Sequence, residues 1–275
     1  MASFVLVPGA GGHAWDWHLV APHLEAWGHD ATAVELPAAD DEAGLRAYAD
    51  VIVDAIGDRD GVVVVALSFG AFSAPLACER VPVSLLVLLN PMIPTPREPF
   101  NDWWSATRQA EAFGAVARDL GIAERALQAD ETLYYHDVPP DKVVEAKALP
   151  QAQSAAPLSE SWPLERWPDV PTRVLVGSDD RLFPVAFQRR IARERLGLEI
   201  DEVPGGHMAA VSYPAEAAER LEVCGRGGQA GVAGLAGASG SRASFTNVGL
   251  SSTARFLPDR RRLSASTKTE KPIAA

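Results

Sequence analysis

Ser68 lies in the run Ala66-Leu67-Ser68-Phe69-Gly70, after four consecutive valines and before a segment of helical composition. A strand, a tight turn carrying serine, and a helix is the setting in which a Gly-x-Ser-x-Gly turn presents a nucleophile. Small flanking residues are needed because the turn crowds its own backbone, and Ala66 and Gly70 meet that need, although the first glycine is absent. A serine capping an ordinary helix is the competing explanation. A serine hydroxyl attacks only when a base takes its proton, so a histidine and an orienting acid should follow. His207 stands in the glycine-rich run Pro204-Gly205-Gly206-His207-Met208, and Asp179 and Asp180 follow the apolar run Val174 to Val176. The order Ser68, Asp180, His207, each at a strand end, is that of a serine, acid and histidine catalytic set on an open α/β sheet. Asp179 is then free to cap the helix that follows.

Acyl transfer also needs two backbone N–H groups aimed at the developing oxyanion. The residue after the nucleophile, Phe69, supplies one, and the loop Pro8-Gly9-Ala10-Gly11-Gly12 supplies the other, from Ala10. A glycine-rich turn can instead cradle a dinucleotide, but Ala14 stands where the third glycine belongs. An acid at Glu35 is present, yet that reading leaves the serine, aspartate and histidine series to coincidence. His13, His18 and His23 recur every five residues, which does not stack them on one helical face, so no metal is expected. No cofactor is expected either.

Short apolar runs positioned to carry these loops are Phe4 to Val7, Ala31 to Leu36, Val62 to Leu67, Leu85 to Leu89, Arg173 to Val176 and Leu198 to Val203. Amphipathic segments alternate with them: Trp17 to Trp27, Gly44 to Ile56, Phe69 to Glu79, Val185 to Leu196 and Pro214 to Cys224. The alternation predicts an α/β fold, a mostly parallel sheet with helices on both faces. It breaks from Met92 to Pro168, a helical, proline-rich insertion holding Trp103, Trp104, Phe113, Tyr134, Tyr135, Trp162 and Trp167. Ligands in open α/β sheets bind beyond the carboxyl ends of the strands, so this insertion is placed to roof the site. Packing for stability alone is the competing use of those aromatics. Met92, Trp103, Trp104, Tyr134, Gly9 and Met208 are the expected pocket residues.

The whole chain of 275 residues carries a net charge of −11, unevenly spread. From Gly225 to Ala275 eight basic residues oppose two acidic ones, so this tail is +6 and residues 1–224 are −17. An acidic body argues against nucleic acid as a partner. The tail, rich in Gly, Ser and Ala with no apolar period, reads as disordered sequence outside a domain spanning 1–224. No apolar run is long enough to span a membrane. Two cysteines, Cys78 and Cys224, build no disulfide framework, and a cytoplasmic location is expected.

Residues 3–224 resemble the α/β-hydrolase superfamily, most closely the branch of plant methyl esterases and hydroxynitrile lyases. The resemblance is carried by Phe4-Val5-Leu6-Val7-Pro8-Gly9-Ala10-Gly11-Gly12-His13-Ala14-Trp15, by Leu88-Leu89-Asn90-Pro91-Met92-Ile93-Pro94 and by Gly206-His207-Met208. Pro8 and Leu67 stand where that branch often has histidine. The spacing Gly177, Asp180, Pro184 resembles the family's pattern at its acid, which favours Asp180 over Asp179. The resemblance implies an α/β-hydrolase fold with a helical cap at about 92–168 and a serine carboxylesterase acting on small or medium esters. A lyase of that branch has Thr in place of Gly9 and Lys in place of Met208, so cyanohydrin cleavage is the less favoured alternative. A non-catalytic small-ligand receptor of the same fold is another.

Overall fold

The computed structural model describes residues 1–150 and 152–236. β1 (Ser3–Val7) leads through a 3-10 turn at Ala14–Trp17 into α1 (Val20–Ala26), then β2 (Asp30–Ala33), α2 (Leu45–Ile56), β3 (Val62–Leu67), α3 (Gly70–Cys78) and β4 (Leu85–Leu89). The insertion contributes α4 (Phe100–Ala106), α5 (Gln109–Asp119), α6 (Glu124–Leu127), α7 (Asp130–Leu133), α8 (Pro140–Ala148) and α9 (Ala156–Ser159). β5 (Thr172–Gly177), α10 (Val185–Leu196), β6 (Ile200–Val203), α11 (Ala209–Ser212) and α12 (Pro214–Ala236) complete the chain.

The six strands form one all-parallel sheet in the order β2-β1-β3-β4-β5-β6. β3 and β4 are buried along their whole length, which explains their unbroken apolar sequences: a parallel strand covered on both faces has no polar side. Alternate residues feed two cores. Val62, Val64, Leu86 and Leu88 join Leu45, Ile52 and Phe72 of α2 and α3 and Ile191 of α10. Val63, Val65, Leu85 and Val87 join Leu24 of α1 and Leu221 of α12 on the other face. Strand order reverses between β1 and β3, so the loops leaving those two strands diverge and open a crevice there.

Three boundaries differ from the sequence expectation by more than two residues. The segment Trp17 to Trp27 is no single helix: the 3-10 turn ends at Trp17 and α1 begins only at Val20. β2 stops at Ala33 because the chain turns to the glycine loop, where Leu36 N–H donates to the Gly12 carbonyl at 2.8 Å. α12 passes the expected end at Cys224 and runs to Ala236. Its buried stripe, Ala217, Ala218, Leu221 and Cys224, continues through Gly225, where a Cβ would come within 3.3 Å of the Phe4 ring. The glycine that reads as the start of a linker lets the helix approach the sheet. The remainder of the expected tail, from residue 237, lies outside the described residues.

Candidate active site

Ser68 occupies the turn between β3 and α3 with φ +49°, a backbone state that is uncommon for a residue bearing a Cβ. Its N–H donates to the Leu89 carbonyl at 2.9 Å, and its carbonyl accepts the N–H of Met92 at 3.0 Å. Neighbouring strand ends thus hold the strained turn. Gly70 explains the small residue two places on: a Cβ there would fall 2.6 Å from the Pro8 carbonyl oxygen.

His207 follows β6 in the loop before α11, and its Nε2 lies 3.0 Å from Ser68 Oγ. Its Nδ1–H donates to Asp180 Oδ2 at 2.9 Å, a tautomer assigned from that bonding pattern. Asp180 Oδ1 in turn accepts the N–H groups of Leu182 at 2.8 Å and Phe183 at 3.0 Å, so both carboxylate oxygens are occupied and the side chain is buried. Asp179 turns away. Among the described residues its side chain bonds only Ser178 Oγ, at 3.1 Å, and the expected cap on α10 is not made: that helix begins after Pro184 without a side-chain cap.

Ser68 and His207 open on a cavity of about 260 Å³ that is also lined by Ala10 and Phe69, with Asp180 buried behind the imidazole. In the glycine loop the N–H of Gly9 donates to Asp16 Oδ2, that of Gly11 to Gln153 Oε1 and that of Gly12 to the Gly9 carbonyl. Among the described residues the intervening N–H of Ala10 meets no acceptor, nor does that of Phe69. Two unclaimed backbone donors beside Ser68 are what an oxyanion hole requires.

Gly9, Met92, Trp104, Tyr134 and Met208 line the cavity as expected. Trp103 does not. It is fully buried in the core, where Nε1–H donates to the Ile93 carbonyl at 2.9 Å and its ring meets Phe183 and Phe187 edge-on. Adjacent helical residues point about 100° apart, so one tryptophan of the pair faces inward and the other the cavity. Tyr134 and Phe183 pack edge-on against the His207 ring. Burial raises the phenol pKa of Tyr134 and Tyr135, keeping both neutral donors.

Sequence reasoning missed several residues that build the candidate site. Asn90, fully buried with φ +46°, accepts the Gly177 N–H at 2.7 Å and donates Nδ2–H to the carbonyls of Gly206 at 3.1 Å and His207 at 2.9 Å. One amide thereby ties the ends of β4 and β5 to the histidine loop. A polar residue closing an all-leucine and valine run was its only signal. Asp137 does similar work from the insertion, its Oδ2 accepting Gly206 N–H at 2.7 Å and Ser212 Oγ–H at 2.9 Å. Asp16, Phe100 and Tyr135 also line the cavity. His13, set aside as a metal ligand, bridges Glu35 Oε1 and the Pro150 carbonyl, each at 2.8 Å. Burial opposes its charge, but these two acceptors outweigh it and raise its pKa.

An all-parallel open sheet with a serine at a strained strand-to-helix turn, bonded to histidine and aspartate from later strand ends, defines a hydrolase-type α/β architecture. The chain belongs to the alpha/beta hydrolase family, whose model matches residues 4–220. It is 27% identical to polyneuridine aldehyde esterase of Rauvolfia serpentina over 247 residues, covering 79% of this chain and 93% of that protein. It is 28% identical to methylesterase 7 of Arabidopsis thaliana over 247 residues, covering 79% and 94%. The crystal structure of polyneuridine aldehyde esterase superposes with a TM-score of 0.66 at 23% identity, over 80% of this chain and 98% of that one. A pyrethroid hydrolase from Sphingobium faniae JZ-2 superposes with a TM-score of 0.65 at 21% identity, over 82% and 97%. Among the described residues no helix is long and apolar enough to cross a membrane.

Proposed function

We propose that the chain is a serine ester hydrolase that cleaves small or medium carboxylic esters through an acyl-enzyme. The observation that carries this reading is the continuous hydrogen-bonded series Ser68, His207, Asp180, at 3.0 and 2.9 Å, whose Ser68 and His207 share one cavity with Ala10 and Phe69. His207 Nε2 takes the Ser68 proton as Oγ attacks the ester carbonyl. Asp180 holds the imidazole in the receptive tautomer and stabilises it once charged. The N–H groups of Ala10 and Phe69 receive the oxyanion, each donor contributing on the order of 10²–10³ in rate. The imidazolium then protonates the departing alcohol. Water, deprotonated by the same nitrogen, releases the acid and restores Ser68.

This chemistry requires no cofactor or metal. The insertion between β4 and β5 serves as the cap, and its Trp104, Tyr134 and Tyr135 give the cavity an aromatic wall. The esterase names of the relatives agree with the reading. Cyanohydrin lysis is disfavoured because Gly9 and Met208 bring no polar side chain to the cavity. The acidic body and paired-free cysteines Cys78 and Cys224 support a cytoplasmic enzyme that does not act on nucleic acid. Assays with p-nitrophenyl esters, aromatic methyl esters and mandelonitrile test it. Ester cleavage with little cyanide release is expected; robust cyanide release with little ester cleavage would leave the lyase standing instead.

A further inference from the structure

One carboxyl on the cavity wall takes no chemical step in the ester hydrolysis described above. Asp16 sits in the 3-10 turn between Trp15 and Trp17, and its Oδ2 accepts the Gly9 N–H at 3.2 Å. It lines the same cavity as Ser68, Ala10 and His207. Among the described residues no lysine or arginine lines that cavity; Phe69, Phe100, Trp104, Tyr134 and Tyr135 do, with the exposed Asp130 beside them. Burial pushes the Asp16 pKa up to about 6, against the pull of the Gly9 bond and of His13 and His207. His13, when protonated, is in turn matched by its partner Glu35. Above neutrality Asp16 is therefore a carboxylate facing an aromatic cavity with no side-chain cation of its own.

Two costs follow. A carboxylate partly withdrawn from water without a paired cation is poorly compensated. It also stands next to Ala10, where negative charge must develop in the transition state, and like charges in a low-dielectric site repel strongly. A positive charge on the substrate, seated against Asp16, relieves both at once. The aromatic faces add attraction for such a group, since their π clouds are electron-rich.

We propose that Asp16 is a specificity-determining residue that selects esters bearing an ammonium group, a protonated or quaternary amine close to the scissile ester. The proposal rests on the ester hydrolase reading and names its substrate class. The chemistry at Ser68 is unchanged, and the ammonium group leaves intact with whichever product carries it.

The test compares acetylcholine with 3,3-dimethylbutyl acetate, an ester of the same shape without the charge. Wild-type kcat/KM should be about tenfold or more higher for the cation, corresponding to about 1.4 kcal/mol. In Asp16→Asn, which keeps an acceptor for the Gly9 N–H, the ratio should collapse toward one. A wild-type ratio near one, or a ratio unchanged in Asp16→Asn, would overturn the proposal. Calorimetric binding of choline and 3,3-dimethylbutan-1-ol to Ser68→Ala separates this from the catalytic reading. Choline should bind more tightly, and the added Asp16→Asn should erase the difference. If choline binding depends on Asp16 while neither ester is cleaved, the hydrolase reading falls and the cation site stands. Neutral ester cleavage with no cation preference in either assay refutes the cation site alone.

Discussion

Asp180 and His207, joined at 2.9 Å, come from loops on neighbouring strands, β5 and β6, that are themselves bonded where Ser178 N–H meets the Val203 carbonyl at 2.8 Å. The pair is buried, and Asp180 reaches the imidazole while Asp179, one residue earlier, reaches only Ser178. Asp180→Asn should therefore lower kcat by about 10³–10⁴, since the amide favours the wrong imidazole tautomer. Asp179→Asn should stay within a few-fold of wild type. Steady-state kinetics on both variants check this, and an equal or larger loss at Asp179 would transfer the role.

Trp103 and Trp104 should separate stability from specificity. Trp103→Ala removes a fully buried ring and its bond to Ile93, and is expected to cost about 3–5 kcal/mol in denaturant unfolding. Trp104→Ala opens the cavity wall, so its main effect should fall on KM across an ester series. A large specificity change from Trp103→Phe, with Trp104→Ala silent, would contradict the placement.

How far these roles were legible in the sequence depended on how local their causes are. β3 and β4 match their apolar runs because full burial on both faces leaves an uninterrupted signature. Ser68, Asp180 and His207 were singled out by chain order and by their positions after strands, and the fold brings the three within hydrogen-bond distance. Trp103 was misplaced because the choice between core and cavity is made by the rotation of α4, which composition does not encode. Asp16 lay unnoticed at the edge of a segment read as one helix, and only the closing of the loop onto Gly9 brings it to the cavity. α12 outran its expected end because Gly225 works through close packing on Phe4, not through helical propensity.

Asp16 should also leave a mark on stability. Its pKa is raised from 3.8 to about 6, chiefly by burial, so the folded chain holds that proton more tightly than the unfolded one. Between these values the native state binds more protons, and stability falls as pH rises; the full cost is present above the folded value. Asp16→Asn carries no such charge. Its stability relative to wild type should be lowest near pH 4 and rise by about 1–3 kcal/mol by pH 8, the lower part of that range being favoured because Asp16 is only partly screened from water. Urea titrations at pH 4.5, 6 and 8 check this, and a difference that does not vary with pH would contradict it.

The most direct measurement is the reaction of purified protein with a fluorophosphonate, followed by peptide mass spectrometry and by ester turnover of Ser68→Ala. The account predicts one adduct on Ser68, none on the folded Ser68→Ala variant, and a loss of turnover of about 10³-fold or more. An adduct on another residue, or near-wild-type turnover by Ser68→Ala, would contradict it.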